Sequence, residues 1–424
     1  MNRSDNLSIG YACITLGVEN TQLSACTLKN ASEDNIRKII NKNLEALINI
    51  IDYNIENEIK LFRISSDIIP FGSHKVNTLN WREEFKDKLL DIGKKIKNSN
   101  MRVSMHPGQY TVLNSINDEV VENAVRDLEY HTSFLDALEV DSKNKIILHI
   151  GGVYGDKQKA SENFIKNYFK LPEKIKKRLI IENDDRNYNV EEVLNISKEI
   201  SIPVVFDNLH NKLNPSPKKL SEGEWISICK ETWKKEDGRQ KIHYSQHKNG
   251  GTFGAHSDTI FADEFLEFYN SLKDKDIDIM LEVKDKNLSA VKCINITKNK
   301  LEIKNLEEEW ARYKYFVLSR SQKIYSEIRE LLKNKKLPPV REFYSLIDKA
   351  IELKVDRGAE INALQHVWGY VNKKCSEAEK RRYQKLFKDF EEGKGKIETL
   401  KKHVLKCAKE QEVKYLIDSL YFYL

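Results

Sequence analysis

The chain has 424 residues, of which 32% are charged and 40% hydrophobic, and its 71 basic and 65 acidic residues give a net charge of +6. This composition excludes a collagen-like or disordered chain and indicates a soluble globular protein, long enough for one large barrel and an additional domain. The mildly basic balance favours a polyanionic partner without requiring one.

The cysteines and the apolar runs narrow the class of protein further. Six cysteines are scattered along the chain: Cys13, Cys26, Cys229, Cys293, Cys375 and Cys407. They form no CxxC pair, which argues against a disulfide framework and against a zinc ribbon. No apolar run is long enough to span a membrane, and the polar start MNRSDNLSIG does not resemble a signal peptide. We therefore expect a cytoplasmic protein.

Eight short apolar runs recur through the first 285 residues. In chain order they cover residues 9–15, 60–66, 101–106, 145–152, 178–183, 202–210, 241–247 and 277–285. Helix-like segments with apolar residues at three- and four-residue spacing separate them, for example 35–52, 81–96, 119–138 and 189–200. This alternation predicts an α/β fold, a (β/α)₈ TIM barrel, with an open doubly wound sheet as the competing arrangement. No glycine-rich dinucleotide- or phosphate-binding loop occurs, which favours the barrel and predicts no nucleotide cofactor.

After Lys300 the pattern changes to amphipathic helices, interrupted at Pro338-Pro339. We therefore predict a barrel domain at 1–300 and a smaller all-helical domain at 301–424.

Polar side chains end or follow the predicted strands three to eight. They are His106, His149, Glu182, Asp207, His210, Lys241, His243, His256 and Glu282. Barrel enzymes carry their chemistry at the C-terminal ends of the strands. A single histidine or glutamate there is more often structural, but their recurrence on six successive strands predicts a metal site.

The ligand set is larger than one ion needs, because a single catalytic zinc uses three protein ligands. Two or three divalent ions sharing carboxylates account for it better. Such a cluster stabilises the attacking and the leaving oxygens of a phosphoryl displacement. Mixed imidazole and carboxylate ligation suits Mn²⁺ or Zn²⁺, with Mg²⁺ or Co²⁺ as alternatives.

Eight ordered motifs carry a family resemblance between about residues 8 and 290. They are SDIIPFGSH, HPGQY, LHIGG, IENDD, FDNLHN, KIHYSQ, AHSD and LEVKDK. Together they resemble the ultraviolet damage endonuclease (UvsE/UVDE) family. The resemblance implies a barrel related to endonuclease IV and a nucleoid-associated DNA repair enzyme whose partner is UV-damaged double-stranded DNA. It implies a cluster of divalent ions with manganese the favoured metal. It also implies a nick immediately 5′ to cyclobutane dimers and 6-4 photoproducts, leaving a 3′-hydroxyl and a 5′-phosphate without ATP.

The resemblance also implies roles for the residues at the strand ends. The three ligand sets are His106, His149 and Glu182; Glu182, Asp207, His243 and Glu282; and His210 with His256. The implied catalytic residues are Glu182, Glu282, Lys241 and His243. Lys241 matches a lysine that the family can carboxylate, and a carbamate there would supply an anionic oxygen ligand. The alternative for Lys241 is an ordinary solvated or phosphate-facing lysine.

Four further residues are implied to contact DNA or the lesion. Gln109 and Tyr110 match the pair that inserts at the lesion, where poorly stacked photoproduct bases cost less to flip out. Tyr11 and His74 match positions near the site. One departure is Thr15, which stands at the end of strand 1 where the family can carry an asparagine.

The C-terminal segment resembles the bacterial YbgA-like domain, whose biochemical role is unassigned. The residues that fit its motif are Trp310, Tyr313, Lys314, His366, Trp368 and Tyr370. Trp310 and Trp368 are expected in the core. The interleaved basic and aromatic residues leave a DNA-binding or partner-docking role open.

Two rival functions share the barrel and its metal ligands. An abasic-site endonuclease of the endonuclease IV type is the first, and a metal-dependent sugar isomerase is the second. The HPGQY loop and the spacing of Lys241 and His243 favour the photoproduct endonuclease. We expect a monomer.

Overall fold

A closed parallel barrel forms the centre of the first part of the chain. The computed structural model describes residues 7–248, 250–335 and 337–424. Its eight strands pair in sequence order, and β8 closes the barrel against β1. They are β1 (Ser8–Ala12), β2 (Leu61–Ile64), β3 (Arg102–Met105), β4 (Ile146–His149), β5 (Leu179–Glu182), β6 (Val204–Asp207), β7 (Lys241–Tyr244) and β8 (Asp278–Leu281). The predicted TIM barrel is confirmed, and the doubly wound sheet is excluded.

Helices follow or separate these strands. They are α1 (Glu33–Glu56), α2 (Trp81–Glu84), α3 (Lys86–Asn98), α4 (Asp118–Ala137), α5 (Lys157–Phe169), α6 (Glu173–Lys176), α7 (Val190–Ile200), α8 (Asn208–Leu213), α9 (Glu222–Lys230), α10 (Ala262–Ser271) and α11 (Asn287–Thr297). Helix α1 begins where the Ser32 side chain accepts a hydrogen bond from the Asn35 amide, and its buried residues Ile36, Ile40 and Leu44 recur every four positions. Segment 81–96, predicted as one helix, is interrupted at the buried Phe85.

Each strand is shorter than the apolar run that predicted it. The run 202–210, for example, contains only β6, because Asp207 caps the next helix by accepting a hydrogen bond from the His210 amide at 2.8 Å. The rest of this run leaves the sheet and carries Asn208 and His210 at the C-terminal end of β6. The strand register then aligns His149 with Glu182, and Asp207 with His243.

The N-terminal ends of the strands carry charges that are paired. Arg102 donates to the Asp278 carboxylate at 2.7 Å and to the carbonyls of Lys143 and Asp237 at 2.7 and 2.8 Å. Lys145 is buried and lies 2.6 Å from the Asp237 carboxylate. Ion pairs therefore close much of this end of the barrel, and the buried amine of Lys241, the first residue of β7, lies here without a hydrogen-bond partner.

A second compact unit comprises residues 295–424 with the short segments 16–18 and 261–266. Its helices are α12 (Ile303–Arg320), α13 (Gln322–Leu331), α14 (Val340–Glu352), α15 (Arg357–Val371), α16 (Glu377–Glu391), α17 (Ile397–Glu410) and α18 (Lys414–Ile417). Trp368 lies in its core and stacks on Tyr383 with ring centroids 3.9 Å apart, whereas Trp310 is only half-buried. No helix among the described residues is long and apolar enough to cross a membrane.

Candidate metal centre

The imidazoles at the C-terminal ends of the strands lie around one buried carboxylate. Glu182 is the last residue of β5 and is 1% exposed. Its Oε2 lies 3.2 Å from His106 Nε2 and 3.8 Å from His149 Nε2. Its Oε1 lies 2.7 Å from His243 Nδ1 and 3.8 Å from His210 Nδ1. Four predicted ligands from four different strands or strand loops therefore converge on Glu182.

Two groups of these residues have the spacing that ligands of a shared ion require. They are His106, His149 and Glu182, and Glu182, Asp207 and His243. In each group one ligand atom per residue lies within 4.8 Å of the others. Ligand atoms that bond the same ion at about 2.0 to 2.2 Å lie at separations from one another that fall within this limit. Glu182 belongs to both groups, so it is placed to bridge two ions.

Several buried polar atoms of these residues have no hydrogen-bond partner, which indicates whether the residues suit a cation. His149 Nδ1, Asp207 Oδ2 and His243 Nε2 are buried and have no hydrogen-bond partner in the protein. Leaving such an atom unsatisfied costs about 1 to 3 kcal/mol, more for a charged group. Imidazole nitrogens and carboxylate oxygens are ligands for divalent ions, so the residues fit a divalent metal centre.

Backbone carbonyls orient three of the histidines. The Nδ1 atoms of His106, His210 and His256 hydrogen-bond the carbonyls of Pro107, Asn183 and Glu282 at 3.0, 2.9 and 2.7 Å. With Nδ1 donating to a carbonyl, Nε2 carries the lone pair that ligates a metal. His256 is thus held beside the backbone of Glu282 and belongs to neither of the two ligand groups.

The electrostatics act in opposite directions on two carboxylates of the site, because burial raises the pKa of Asp207 whereas the histidines lower that of Glu182. Burial alone would raise the pKa of Glu182, but His243, His106 and His149 hold it well below its usual value. Burial lowers the pKa of His149 to about 4, so this imidazole is neutral at pH 7. Burial would also lower the pKa of His210, but Asp207 and Glu182 outweigh it and raise that pKa to about 9.

Arg63 is a residue of the site that the sequence motifs did not identify. It lies on β2 and forms an ion pair with the Glu282 carboxylate, which also lies 3.4 Å from His243 Nδ1. Burial opposes ionisation of Glu282, but Arg63 and His243 lower its pKa. An arginine within an otherwise apolar strand run was the sequence signal for this contact.

Lys241 lies inside the barrel on β7. It is fully buried, and its Nζ has no hydrogen-bond partner in the protein. Burial lowers the pKa of this amine well below its usual value, and the neighbouring cations Arg102, Arg63 and Lys145 add to that effect. The solvated or phosphate-facing lysine that the sequence left open does not match this position.

The predicted lesion-binding pair occupies the middle of a tight turn. Gly108 accepts a hydrogen bond from the Thr111 amide at 3.0 Å, so Gln109 and Tyr110 are its two central residues. Both are exposed, Tyr110 to 83%. The Thr111 hydroxyl donates to the Asp127 carboxylate at 2.6 Å and anchors the turn.

Two cavities lie on either side of this turn. One, of about 680 Å³, is lined by residues that include His74, His106 and Tyr110. The other, of about 560 Å³, is lined by residues that include Gln109, Tyr110, His149 and His210. The turn therefore separates two spaces that each reach a histidine of the candidate metal centre.

Tyr11 was predicted to contact DNA, and its position in the structure corrects that prediction. It is fully buried, and its hydroxyl hydrogen-bonds Thr15 Oγ1 at 2.7 Å and Asn54 Oδ1 at 2.8 Å. A DNA strand at the surface does not reach it in this structure. Thr15, noted as a departure from the family, holds Tyr11 in place.

Comparisons with known proteins agree with these observations. Residues 8–314 match the family described as UV-endonuclease UvdE, and residues 314–424 match a family described as protein of unknown function (DUF1722). The latter match confirms the predicted YbgA-like domain.

Two similar relatives and one solved structure extend this finding. The chain is 44% identical over 395 residues to the UV DNA damage endonuclease of Clostridium perfringens, covering 92% of this chain and 94% of that one. It is 36% identical over 269 residues to a Bacillus cereus UV DNA damage endonuclease, covering 63% of this chain and 84% of that one. The crystal structure of SacUVDE matches with a TM-score of 0.65 and 38% identity, over 72% of this chain and 99% of that chain. The chain therefore belongs to the UV-endonuclease UvdE family.

Proposed function

We propose that the protein is a metal-dependent DNA repair endonuclease that nicks the phosphodiester immediately 5′ to UV photoproducts. The products are a 3′-hydroxyl and a 5′-phosphate, and the substrate is UV-damaged double-stranded DNA. Residues 1–300 form the catalytic domain, and residues 301–424 form an accessory helical domain. The observation that carries the proposal is the pair of imidazole–carboxylate groups that share Glu182 in a chain of this family.

The metal centre follows from the donor set. His106, His149 and Glu182 have the spacing of ligands and would hold one divalent ion. Glu182 would be shared with a second ion, for which Asp207, His243 and Glu282 would be the other ligands, and His210 with His256 would hold a third. Manganese is the expected metal. Such ions, when bound, activate water and neutralise the charge that develops on the phosphate oxygens. Arg63 keeps Glu282 ionised and oriented for this role.

The turn of Gln109 and Tyr110 recognises the lesion. A crosslinked pyrimidine pair stacks poorly, so displacing its bases costs less than displacing undamaged ones. The exposed Tyr110 ring fills the gap that the displaced bases leave, and Gln109 faces the orphaned bases. The turn lies between the two cavities, which offer space for the displaced nucleotides next to the metal centre. His74 lines the larger cavity and contacts the DNA from there.

Lys241 is carboxylated in this proposal. Its uncharged amine attacks carbon dioxide, one N–C bond forms, and one proton leaves to solvent, which gives a carbamate anion. The cations Arg102, Arg63 and Lys145 disfavour an ammonium here and stabilise an anion. Protein grown with ¹³C-enriched bicarbonate is expected to show a carbamate carbon signal by NMR that Lys241→Met lacks. A spectrum identical to that of Lys241→Met would rule the carbamate out.

A nicking assay tests the proposed function. Three end-labelled duplexes carry a thymine dimer, an abasic site or no damage, and each is incubated with Mn²⁺ or with a chelator. We expect Mn²⁺-dependent cutting directly 5′ to the dimer. Cutting only at the abasic site would instead favour an endonuclease IV-type activity, and no cutting would favour a sugar isomerase.

A further inference from the structure

The positive charge of the protein is concentrated in its C-terminal part. Residues 301–424 contain 27 lysines and arginines and 20 aspartates and glutamates, a net charge of +7. Residues 1–300 contain 44 basic and 45 acidic residues, a net charge of −1. The part of the chain that holds the candidate metal centre therefore carries no excess charge for attracting DNA, and the helical part carries all of it.

A lysine and three tyrosines form a cluster within the helical unit, here called the Lys314 cluster. Lys314 Nζ lies 5.0 Å from the ring centroid of Tyr315 and 6.0 Å from that of Tyr415, and 3.5 Å from the Tyr415 hydroxyl. Tyr370 completes the cluster, with its ring centroid 5.5 Å from that of Tyr415. In the part of the chain that the structure describes, no ion pair joins Lys314 to a carboxylate. The ammonium is thus held against aromatic rings without a neutralising partner.

Tyr370 presents this cluster to solvent. It is 49% exposed, and its hydroxyl oxygen accepts a hydrogen bond from the Tyr315 hydroxyl at 3.0 Å. Its own hydroxyl proton is therefore free to donate outward. Gly369 beside it is also exposed, and no atom lies within 4 Å of where its Cβ would stand. His366, one turn earlier on α15, is also exposed.

We infer that the Lys314 cluster is a nucleic-acid strand site, with a phosphate bound at Lys314 and a base stacked on Tyr370. Cations that follow a phosphate backbone, together with aromatic rings on which bases stack, are the combination that binds single strands without sequence preference. The inference rests on the proposed function for the identity of the strand, which is the DNA that the barrel repairs. The helical domain would then supply sequence-independent affinity, and the barrel would supply lesion recognition and cutting.

The test measures DNA binding by the full-length protein in the presence of chelator, so that no nicking occurs. A fluorescent undamaged single strand is titrated at several salt concentrations, and the slope of log affinity against log salt is compared between variants. Lys314→Gln should reduce the magnitude of that slope by about 0.7, the value for one phosphate contact on a single strand. Tyr370→Ala should weaken binding about tenfold through lost base stacking, and Tyr370→Phe should stay near wild type.

Lys354→Gln is the matched control, because it removes one exposed lysine of the same unit away from the cluster. It should leave the affinity within about twofold of wild type, since it removes charge without removing a specific contact. If Lys314→Gln and Lys354→Gln have equal effects, or if Tyr370→Ala binds as wild type does, the inference is overturned.

Nicking of a dimer-containing duplex with Mn²⁺ is measured in parallel. Its absence in the wild-type protein would contradict the proposed function of the barrel, and would leave the differences between the binding variants as a separate result.

Discussion

The two ends of the barrel are both rich in charge, and they differ in how far that charge is satisfied: the N-terminal end has a network of ion pairs beside the unpartnered amine of Lys241. At the N-terminal end of the strands, Arg102 donates hydrogen bonds to the Asp278 carboxylate and to backbone carbonyls. At the C-terminal end, atoms of His149, Asp207 and His243 are buried without any partner. Buried polar groups in native proteins are almost always hydrogen-bonded, so an unsatisfied set requires an explanation.

This contrast separates a structural role from a functional one. Composition cannot make the distinction, because lysines, arginines and acids occur at both ends. Hydrogen-bond satisfaction can, because a closed network stabilises the fold while an open one leaves ligands for an ion. Substitutions at each end of the barrel test this contrast.

Glu182→Gln is the most damaging change expected for activity. The amide cannot serve as the anionic bridge between both ligand groups. We expect nicking to fall by about ten thousandfold or more, roughly 5.4 kcal/mol of activation free energy. The fold should survive, because the amide keeps the size of the side chain. A variant that nicks within tenfold of wild type would contradict the role of Glu182.

Arg102→Met tests the opposite end of the barrel. It removes a buried ion pair whose side chains are 13% and 2% exposed, leaves Asp278 with its Arg239 pair at 3.1 Å, and leaves several carbonyls without their donor. We expect the free energy of unfolding to fall by about 3 kcal/mol in denaturant titrations. The control Arg37→Met removes exposed pairs with Glu33 on α1 and Glu84 on α2 and should leave the unfolding midpoint close to that of the wild type. Equal losses for the two variants would show that the N-terminal network has no special role in stability.

Metal binding should stabilise the fold through the C-terminal end. At a free Mn²⁺ concentration of about 100 times its Kd, the free energy of unfolding should rise by about 2.7 kcal/mol. Glu182→Gln should lose most of this gain, because it removes the ligand common to both groups. Chelator titrations followed by thermal unfolding measure the difference. The same gain in both proteins would place the stabilising ion elsewhere.

Tyr110→Ala should change recognition of damage and leave stability unaltered. The side chain is 83% exposed, so the free energy of unfolding should stay within about 0.5 kcal/mol of wild type. The ratio of affinities for dimer-containing and undamaged duplex should fall by about thirtyfold, which matches the loss of one base–aromatic stacking contact. Ile116→Ala, another exposed position at 71%, is the control and should leave that ratio unchanged. A ratio unchanged in Tyr110→Ala would refute its insertion at the lesion.

The metal affinity of the centre should increase with pH. His210 has a pKa of about 9 in the metal-free protein, so it is protonated at pH 7 and must lose that proton to become a ligand. Affinity for Mn²⁺ at the site that includes His210 should therefore rise about tenfold per pH unit from pH 7 to 9 and level off above. His149 adds no slope in this range, because its pKa of about 4 leaves it neutral. Calorimetric titration across this range measures the effect, and a flat profile would contradict it.

The sequence predicted the barrel and most of the site because both depend on local patterns. Strands are recognisable as apolar runs, and residues such as His149 and Glu182 lie at their ends, where parallel strands must bring them together. Strand register alone places His149 beside Glu182 and Asp207 beside His243.

What the sequence did not predict depends on distant partners. The burial of Tyr11 reflects its contact with Asn54, 43 residues away on α1. The role of Arg63 depends on closure of the barrel, which brings β2 within reach of Glu282 across 219 residues of sequence. The local pattern of apolar and polar residues does not reveal contacts between residues so far apart in the sequence.

The position of bound manganese tests the central claim most directly. Crystals of the full chain grown with Mn²⁺ should show anomalous scattering peaks next to Glu182, one shared with His106 and His149 and one shared with Asp207 and His243. These peaks should be absent from crystals of Glu182→Gln. Well-ordered crystals with no peak beside Glu182, or with peaks only at the N-terminal end of the barrel, would contradict the account.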